Sequence, residues 1–282
     1  MLHFFPAKAI DFAVPAPYAL AWDGSSIWVA EFTDNKVTKL QDSDGSVLGT
    51  VTVGESPSGV ALDAANVWVV NQGGNTVTKL RASDGFVLRT FNVGSFPESA
   101  AFDAANIWVT NGGSASNSVT KLRDSDGFDL GTFSVGRGPE GIAFDGKNIW
   151  VANDNDNTVT KLLASSGSVL GTFSVGSGPK GVAFDGSHIW VANYVDDTVT
   201  ELRTSDGHAV GTFSVGKSPV GVATDGVNVW VTNSGGASVT ELRVSDGSTI
   251  YTNSVGTGPV AVTLDGVHTW VANYASGTVS KL

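Results

Sequence analysis

Tryptophan recurs in this chain at a nearly fixed step. Seven of its eight tryptophans, Trp28, Trp68, Trp108, Trp150, Trp190, Trp230 and Trp270, follow one another at intervals of 40, 40, 42, 40, 40 and 40 residues. Seven of the nine prolines keep the same beat: Pro17, Pro57, Pro97, Pro139, Pro179, Pro219 and Pro259. A period of about 40 in strand-forming sequence is the signature of a β-propeller blade. Solenoids of similar period are helical, and this chain is rich in Gly, Thr and Val with no stretch at helical spacing.

One repeat, Pro139 to Val175, shows the internal plan. The apolar run Gly141 to Asp145 turns at Asp145-Gly146 into Asn148 to Asn153, NIWVAN. A polar loop, Asp154 to Asn157, leads to TVTKL (Thr158 to Leu162). A Ser166-Gly167 turn then opens VLGTFSV (Val169 to Val175). These are four short strands rich in Val, Ile, Thr, Phe and Trp. Most blades carry Asp-Gly at the last turn, a pair suited to the φ > 0 turns that match strand twist. The expected fold is therefore all-β: a seven-bladed propeller with four antiparallel strands per blade, forming a single domain over residues 1–282. The blades fall at about 17–54, 57–94, 97–136, 139–176, 179–216, 219–256 and 259–282 plus 7–14. The last repeat stops at TVSKL (Thr278 to Leu282) without a fourth strand, and AIDFAV (Ala9 to Val14) has the pattern of the missing one. The N-terminal strand is expected to complete the last blade and close the ring.

Composition narrows the partners. Hydrophobic residues make up 41%, enough for a large core, while the net charge is −11. Nucleic acid and anionic membranes need Lys/Arg patches, so neither is expected as a partner. The absence of cysteine excludes disulfides, Cys-ligated zinc, iron–sulfur clusters and thiol nucleophiles. No apolar run approaches ~18 residues, so no membrane span is expected. The opening MLHFFPAKAIDFAV has neither the basic flank nor the apolar stretch of a signal peptide.

The repeat IWVAN-x4-TVTKL-x2-SDG-x3-GTFSVG-x2-P-x-GVAFDG resembles the YVTN-type seven-bladed propellers, over essentially the whole chain. It is more broadly similar to virginiamycin B lyase-like and NHL-type propellers. The resemblance implies a binding or interaction scaffold, with surface-layer and cell-surface proteins, streptogramin-cleaving lyases and metal-dependent lactonases among the related activities. It also implies an extracytoplasmic location. The lyase-type propellers use a histidine and a magnesium ion. His188 and His268 here fall in turns between first and second strands, and His208 falls between third and fourth, on the face away from the usual ligand face. These three and His3 read as solvent-exposed. No Ser-His-Asp set, H-E-x-x-H or G-x-S-x-G is present.

Residues kept in nearly every blade read as fold. The tryptophans are packing anchors, the Asp of FDG and SDG are turn residues, and the Asn after the second strand caps the following turn. Function is expected where blades differ. The position after the repeated proline reads Tyr18, Ser58, Glu98, Glu140, Lys180, Val220 and Val260, and it opens the innermost strand at the channel mouth. The loops between second and third strands add Asp34, Asp154, Asp156, Asp196 and Asp197, and Glu31 replaces the repeated Asn in blade one. Glu98, Glu140, Glu31, Asp154 and Asp156 form a candidate oxygen-ligand set for Ca²⁺ or Mg²⁺, with Tyr18, Lys180 and Arg137 as ligand rim. The plainer reading of the same residues is a solvated acidic rim balanced by Lys180 and Arg137. The longer loop of blade three, Gly112 to Ser118, is a further candidate rim element. The leading functional expectation is a monomeric scaffold taking a small molecule or protein at the channel mouth. The alternative is a divalent-metal-dependent lyase or hydrolase working through Glu98 and Glu140.

Overall fold

The computed structural model describes residues 9–63, 65–113 and 116–282. Seven four-stranded antiparallel sheets stand around a central channel, six of them running from an innermost to an outermost strand in chain order. In blade four these strands are Pro139–Phe144, Asn148–Asn153, Thr158–Leu163 and Val169–Ser174. The seventh sheet is built from both ends of the chain: Pro259–Leu264, Thr269–Asn273, Thr278–Lys281 and, outermost, the N-terminal strand Ile10–Ala13. Ile10 pairs with Lys281 and Ala13 with Thr278. Residues 7 and 8 of the expected closing strand lie outside the described residues, as do His3 and part of the Gly112–Ser118 loop. Among the described residues, no helix is long and apolar enough to cross a membrane.

The core lies between the blades, and the repeated residues build it. Trp28, Trp68, Trp108, Trp150, Trp190 and Trp270 are buried completely or nearly so. Their rings pack against the Ile/Val and Leu of the following blade, as Trp68 does against Ile107, Val109 and Leu122. Each indole N–H donates to the Asp of its own first turn at 2.7–2.9 Å, for example Trp150 to Asp145 and Trp68 to Asp63. The same Asp accepts the turn amides, Asp145 taking those of Lys147 and Asn148. One residue thus ties the turn and places the core ring.

The lysine of TVTKL completes the seam. Lys39, Lys79, Lys121, Lys161 and Lys281 hold their ammonium groups 4.6–5.1 Å from the tryptophan ring centroids. Each also donates to a backbone carbonyl of the next blade, Lys121 to Ala164 and Lys161 to Thr204. Phe91, Phe133, Phe173 and Phe213 lie against the rings of Trp68, Trp108, Trp150 and Trp190, with centroids 5.4–5.8 Å apart. Gly127 sits over Phe91 at φ +71, where a Cβ would fall 2.0 Å from a ring carbon.

The repeated Asn does more than cap a turn. Asn153 donates to Thr158 and Thr160 of the neighbouring strand, and Asn71 also accepts the Gly54 amide from the preceding blade's last loop. The Gly of each SVG lies against this amide. A Cβ on Gly136 would meet Asn153 Cγ at 2.6 Å. Gly136→Ala is therefore expected to cost about 1–3 kcal/mol, as overpacking in a tight core does, measured by denaturant unfolding; an unchanged midpoint would show that the Asn yields freely. Removing residues 1–13 should lower the unfolding midpoint and expose the Thr278–Lys281 edge to aggregation. A truncated chain that melts like the whole one would show that the fourth strand of blade seven is dispensable.

Candidate functional site

Every innermost strand begins with a register shift immediately after its proline. In blade four Pro139 pairs with Asn153, but the next pair is Ile142 with Val151, so Glu140 and Gly141 bulge. Pro97 and Pro179 show the same shift, which places Glu98 and Lys180 in the equivalent bulges. A bulge re-aims side chains, and these turn toward the axis. They line a cavity of about 880 Å³ at the channel mouth, together with Tyr18, Gln72, Asp154, Tyr194, Val195 and residues of the remaining blades.

The cavity has two unlike sides. On blades three to five Lys180 Nζ lies 2.7 Å from Glu140 Oε1 and 3.4 Å from Asp154 Oδ2. Gln72 Nε2 donates to Glu98 Oε2 at 2.7 Å. On blades six, seven and one the lining is Val220, Val260 and Tyr18. Tyr18 is backed by Phe32 and Tyr274, with ring centroids 4.9 and 5.7 Å from its own.

Burial, and then the charge of Glu140, push the Glu98 carboxyl up to about 8, against the pull of Gln72 and Lys180. Burial also raises Glu140, although Lys180 opposes it. For Lys180 burial disfavours the charge, but Glu140 and Asp154 outweigh it and hold the ammonium above its usual range. Burial and the neighbouring Glu98 and Glu140 move the Tyr18 phenol well upward. Near neutral pH the site therefore holds a largely protonated Glu98 near the Lys180 ammonium.

The structure brings Glu98, Glu140, Asp154, Lys180 and Tyr18 to one cavity and leaves three candidates elsewhere. Glu31 is buried inside blade one, 3% exposed, where it accepts the Thr38 hydroxyl in place of the repeated Asn. Asp156 and Arg137 pair on the exposed rim, Nε to Oδ1 2.6 Å, with Arg137 69% exposed. Gln72 and Tyr194 line the cavity as well, without a charge to mark them in the sequence. Their signal is the column immediately after the repeated Asn, which reads Phe32, Gln72, Gly112, Asp154, Tyr194, Ser234 and Tyr274 and varies in the same way as the bulge column.

Among the described residues, no histidine lines the cavity. His208 is open to solvent, its side chain 77% exposed. His188 departs from the exposed reading: its side chain is 30% exposed and its Nδ1 is buried beside Glu201 and Asp185. Among the described residues, Asp185, His188 and Glu201 are the group of three His/Asp/Glu side chains able to converge on a metal, with ligand atoms all within 4.8 Å. They lie at a first turn and third strand of blade five, outside the channel mouth.

The architecture is that of a virginiamycin B lyase-like seven-bladed propeller. Virginiamycin B lyase from Staphylococcus aureus superposes with a TM-score of 0.84 at 16% identity, covering 97% of this chain and 98% of that one. A streptogramin B lyase gives 0.83 at 17% identity, covering 97% and 96%. Hydrazine synthase of Kuenenia stuttgartiensis gives 0.85 at 19% identity, covering 100% and 98%. No protein-family model matches the chain. No curated protein matches it by sequence. These likenesses describe the fold.

The raised Glu98 carboxyl has a consequence for stability. Its ordinary value is 4.5, so the folded chain keeps this proton to higher pH than the unfolded chain does. The contribution is whole below about 4.5 and declines as pH rises toward 8. Glu98→Gln, which cannot ionise, should flatten the fall in melting temperature between these pH values and be the more stable protein at the alkaline end. Identical slopes for the two proteins would place the proton elsewhere.

Proposed function

We propose that this propeller is a ligand-binding scaffold whose channel mouth takes a small organic cation with an apolar body. One observation carries this reading: a partly buried carboxylate group with a single ammonium faces an aromatic and aliphatic wall across one cavity of about 880 Å³. Glu140 and Asp154 outnumber Lys180, and Glu98 adds a fourth ionisable group that gains charge when a cation arrives. Tyr18, Val220 and Val260 offer the apolar side, and an aromatic face also attracts cations. The volume falls within the range usual for small-molecule sites. The YVTN-type repeat pattern agrees with a scaffold role.

A second reading, a divalent-metal-dependent lyase or hydrolase at the same mouth, draws on Glu98, whose proton is held near neutral pH as a general acid or base requires. Its likeness in fold to streptogramin B lyase is in keeping with it. Against it, Lys180 already occupies the oxygens of Glu140 and Asp154, so the donor set as built suits an ammonium rather than Ca²⁺ or Mg²⁺.

Phenethylamine and its neutral isostere phenethyl alcohol separate the readings. The amine should bind by calorimetry and raise the melting temperature, the alcohol should bind at least about tenfold more weakly, and the double variant Glu98→Gln, Glu140→Gln should erase the difference of about 1.4 kcal/mol. Equal binding of amine and alcohol would sink the cation-binding reading. Heat from Ca²⁺ or Mg²⁺ that disappears in the double variant would favour the enzyme instead.

A further inference from the structure

The seam residues of blade five break the repeat in two places at once. Where blades one to four and seven place a lysine in the third strand, blade five has Glu201. Where blades two to four open the second strand with Asn66, Asn106 and Asn148, blade five has His188. The first change reverses a charge at a fixed place. In blade one the lysine ammonium stands 3.2 Å from the Asp23 oxygen that also accepts the Trp28 indole. In blade five the equivalent oxygen, Asp185 Oδ2, still accepts the Trp190 indole at 2.7 Å. A carboxylate now approaches it instead of an ammonium.

The side chains of Asp185 and Glu201 are 1% and 6% exposed, so two carboxylates are withdrawn from water with their lysine gone. His188 Nδ1 points between them, 3.2 Å from Glu201 Oε1 and 3.8 Å from Asp185 Oδ2. That nitrogen is itself buried and makes no hydrogen bond of sound geometry. In blade four the lysine Nζ reaches the carbonyl of Thr204 in the next blade. The repeat puts Val244 at the corresponding position beside Glu201. The other deviant blades are each half-changed. Blade six has Glu241 but Asn228, and blade seven has His268 but keeps Lys281.

We propose that Asp185, His188 and Glu201 form a zinc-type divalent metal site in which the ion takes the place of the lysine ammonium and staples blade five. One imidazole nitrogen and two carboxylate oxygens suit Zn²⁺, with a fourth position for water or a carbonyl of the adjoining blade. Asp185 is already oriented by the Trp190 indole and by the amides of Ser187 and His188, the kind of outer support that metal ligands receive. The exposed edge of His188 gives the ion a path from solvent. This site is independent of the channel mouth and of what binds there.

The test uses the full chain, freed of metal by chelator and titrated with ZnCl₂ near neutral pH. One equivalent should bind, and ~100 µM zinc should raise the melting temperature by about 5 °C. The double variant His188→Asn, Glu201→Lys restores the residues of blades two to four. It should melt like a lysine-bearing blade and bind no zinc. Glu98→Gln with Glu140→Gln should bind zinc as the unaltered protein does, which separates this site from the channel mouth. Should the double variant fail to fold, Glu201→Gln alone is read in the same way. No stoichiometric binding to the unaltered chain would overturn the proposal. Zinc binding undiminished by the blade-five changes would overturn it as well.

Discussion

The contact on which this architecture rests is the tryptophan–aspartate bond at six of the seven blade seams. A Trp ring buries roughly 150–250 Å², worth about 4–6 kcal/mol by area as an upper figure. That burial requires a partner for the indole N–H, because an unpaired polar group in the core costs most of what a hydrogen bond would return. The turn aspartate provides it while holding the tight turn beneath the ring. The buried carboxylate then needs a cation, and the third-strand lysine stands beside it in blades one and two. Each residue of the seam thus creates the requirement that the next one meets.

This chain of requirements explains why the fold was legible in the sequence. Trp, Asp, Lys, Asn and Gly recur together in most blades, and each carries local roles that repeat from blade to blade. The closing strand was legible as well, since Ala9 to Val14 matches the outer strands in pattern and the described strand Ile10–Ala13 pairs along Thr278–Lys281. The site was only partly legible. Glu98, Glu140 and Lys180 stood out because the bulge column departs from the repeat there, and the register shift after each proline turns that column inward. Glu31 misled for a physical reason. As a carboxylate in a polar-looking position it reads as surface, yet it replaces an Asn whose role is internal, and it serves the same threonine as acceptor rather than donor. Gln72 was hidden because a neutral amide gives no charge signal; its meaning comes only from its proximity to Glu98.

His188 shows the limit of reading residues one at a time. A histidine in a turn is ordinarily a surface residue, and His208 is one. What changes the chemistry at His188 is a substitution 13 positions later, Glu201 for lysine, on a strand where Trp190 and Glu201 face each other in register. The pairing is visible in sequence only once the blade's strand register is known.

Blade six carries the same logic to its opposite end. It lacks the lysine, since Glu241 stands there, and it lacks the covering phenylalanine, since Asn253 occupies the register position that Phe213 holds in blade five. Trp230 is partly exposed, and among the described residues it makes no bond to Asp225, which is itself exposed. Three of the four seam contributions are missing together, and Asn253 leaves a buried carbonyl oxygen unpartnered. Their joint loss is what the dependency among them requires: without the ring sealed, the aspartate gains nothing by being buried, and without a buried aspartate the lysine has no charge to balance. The seam between blades six and seven therefore lacks most of what holds the others, and it adjoins blade seven, whose strands come from both ends of the chain. Blade five, which keeps its buried tryptophan and aspartate but has exchanged the ammonium for a carboxylate and an imidazole, stands between the intact seams and this one. A cation there would restore the charge balance of a seam whose tryptophan, aspartate and phenylalanine are all in place.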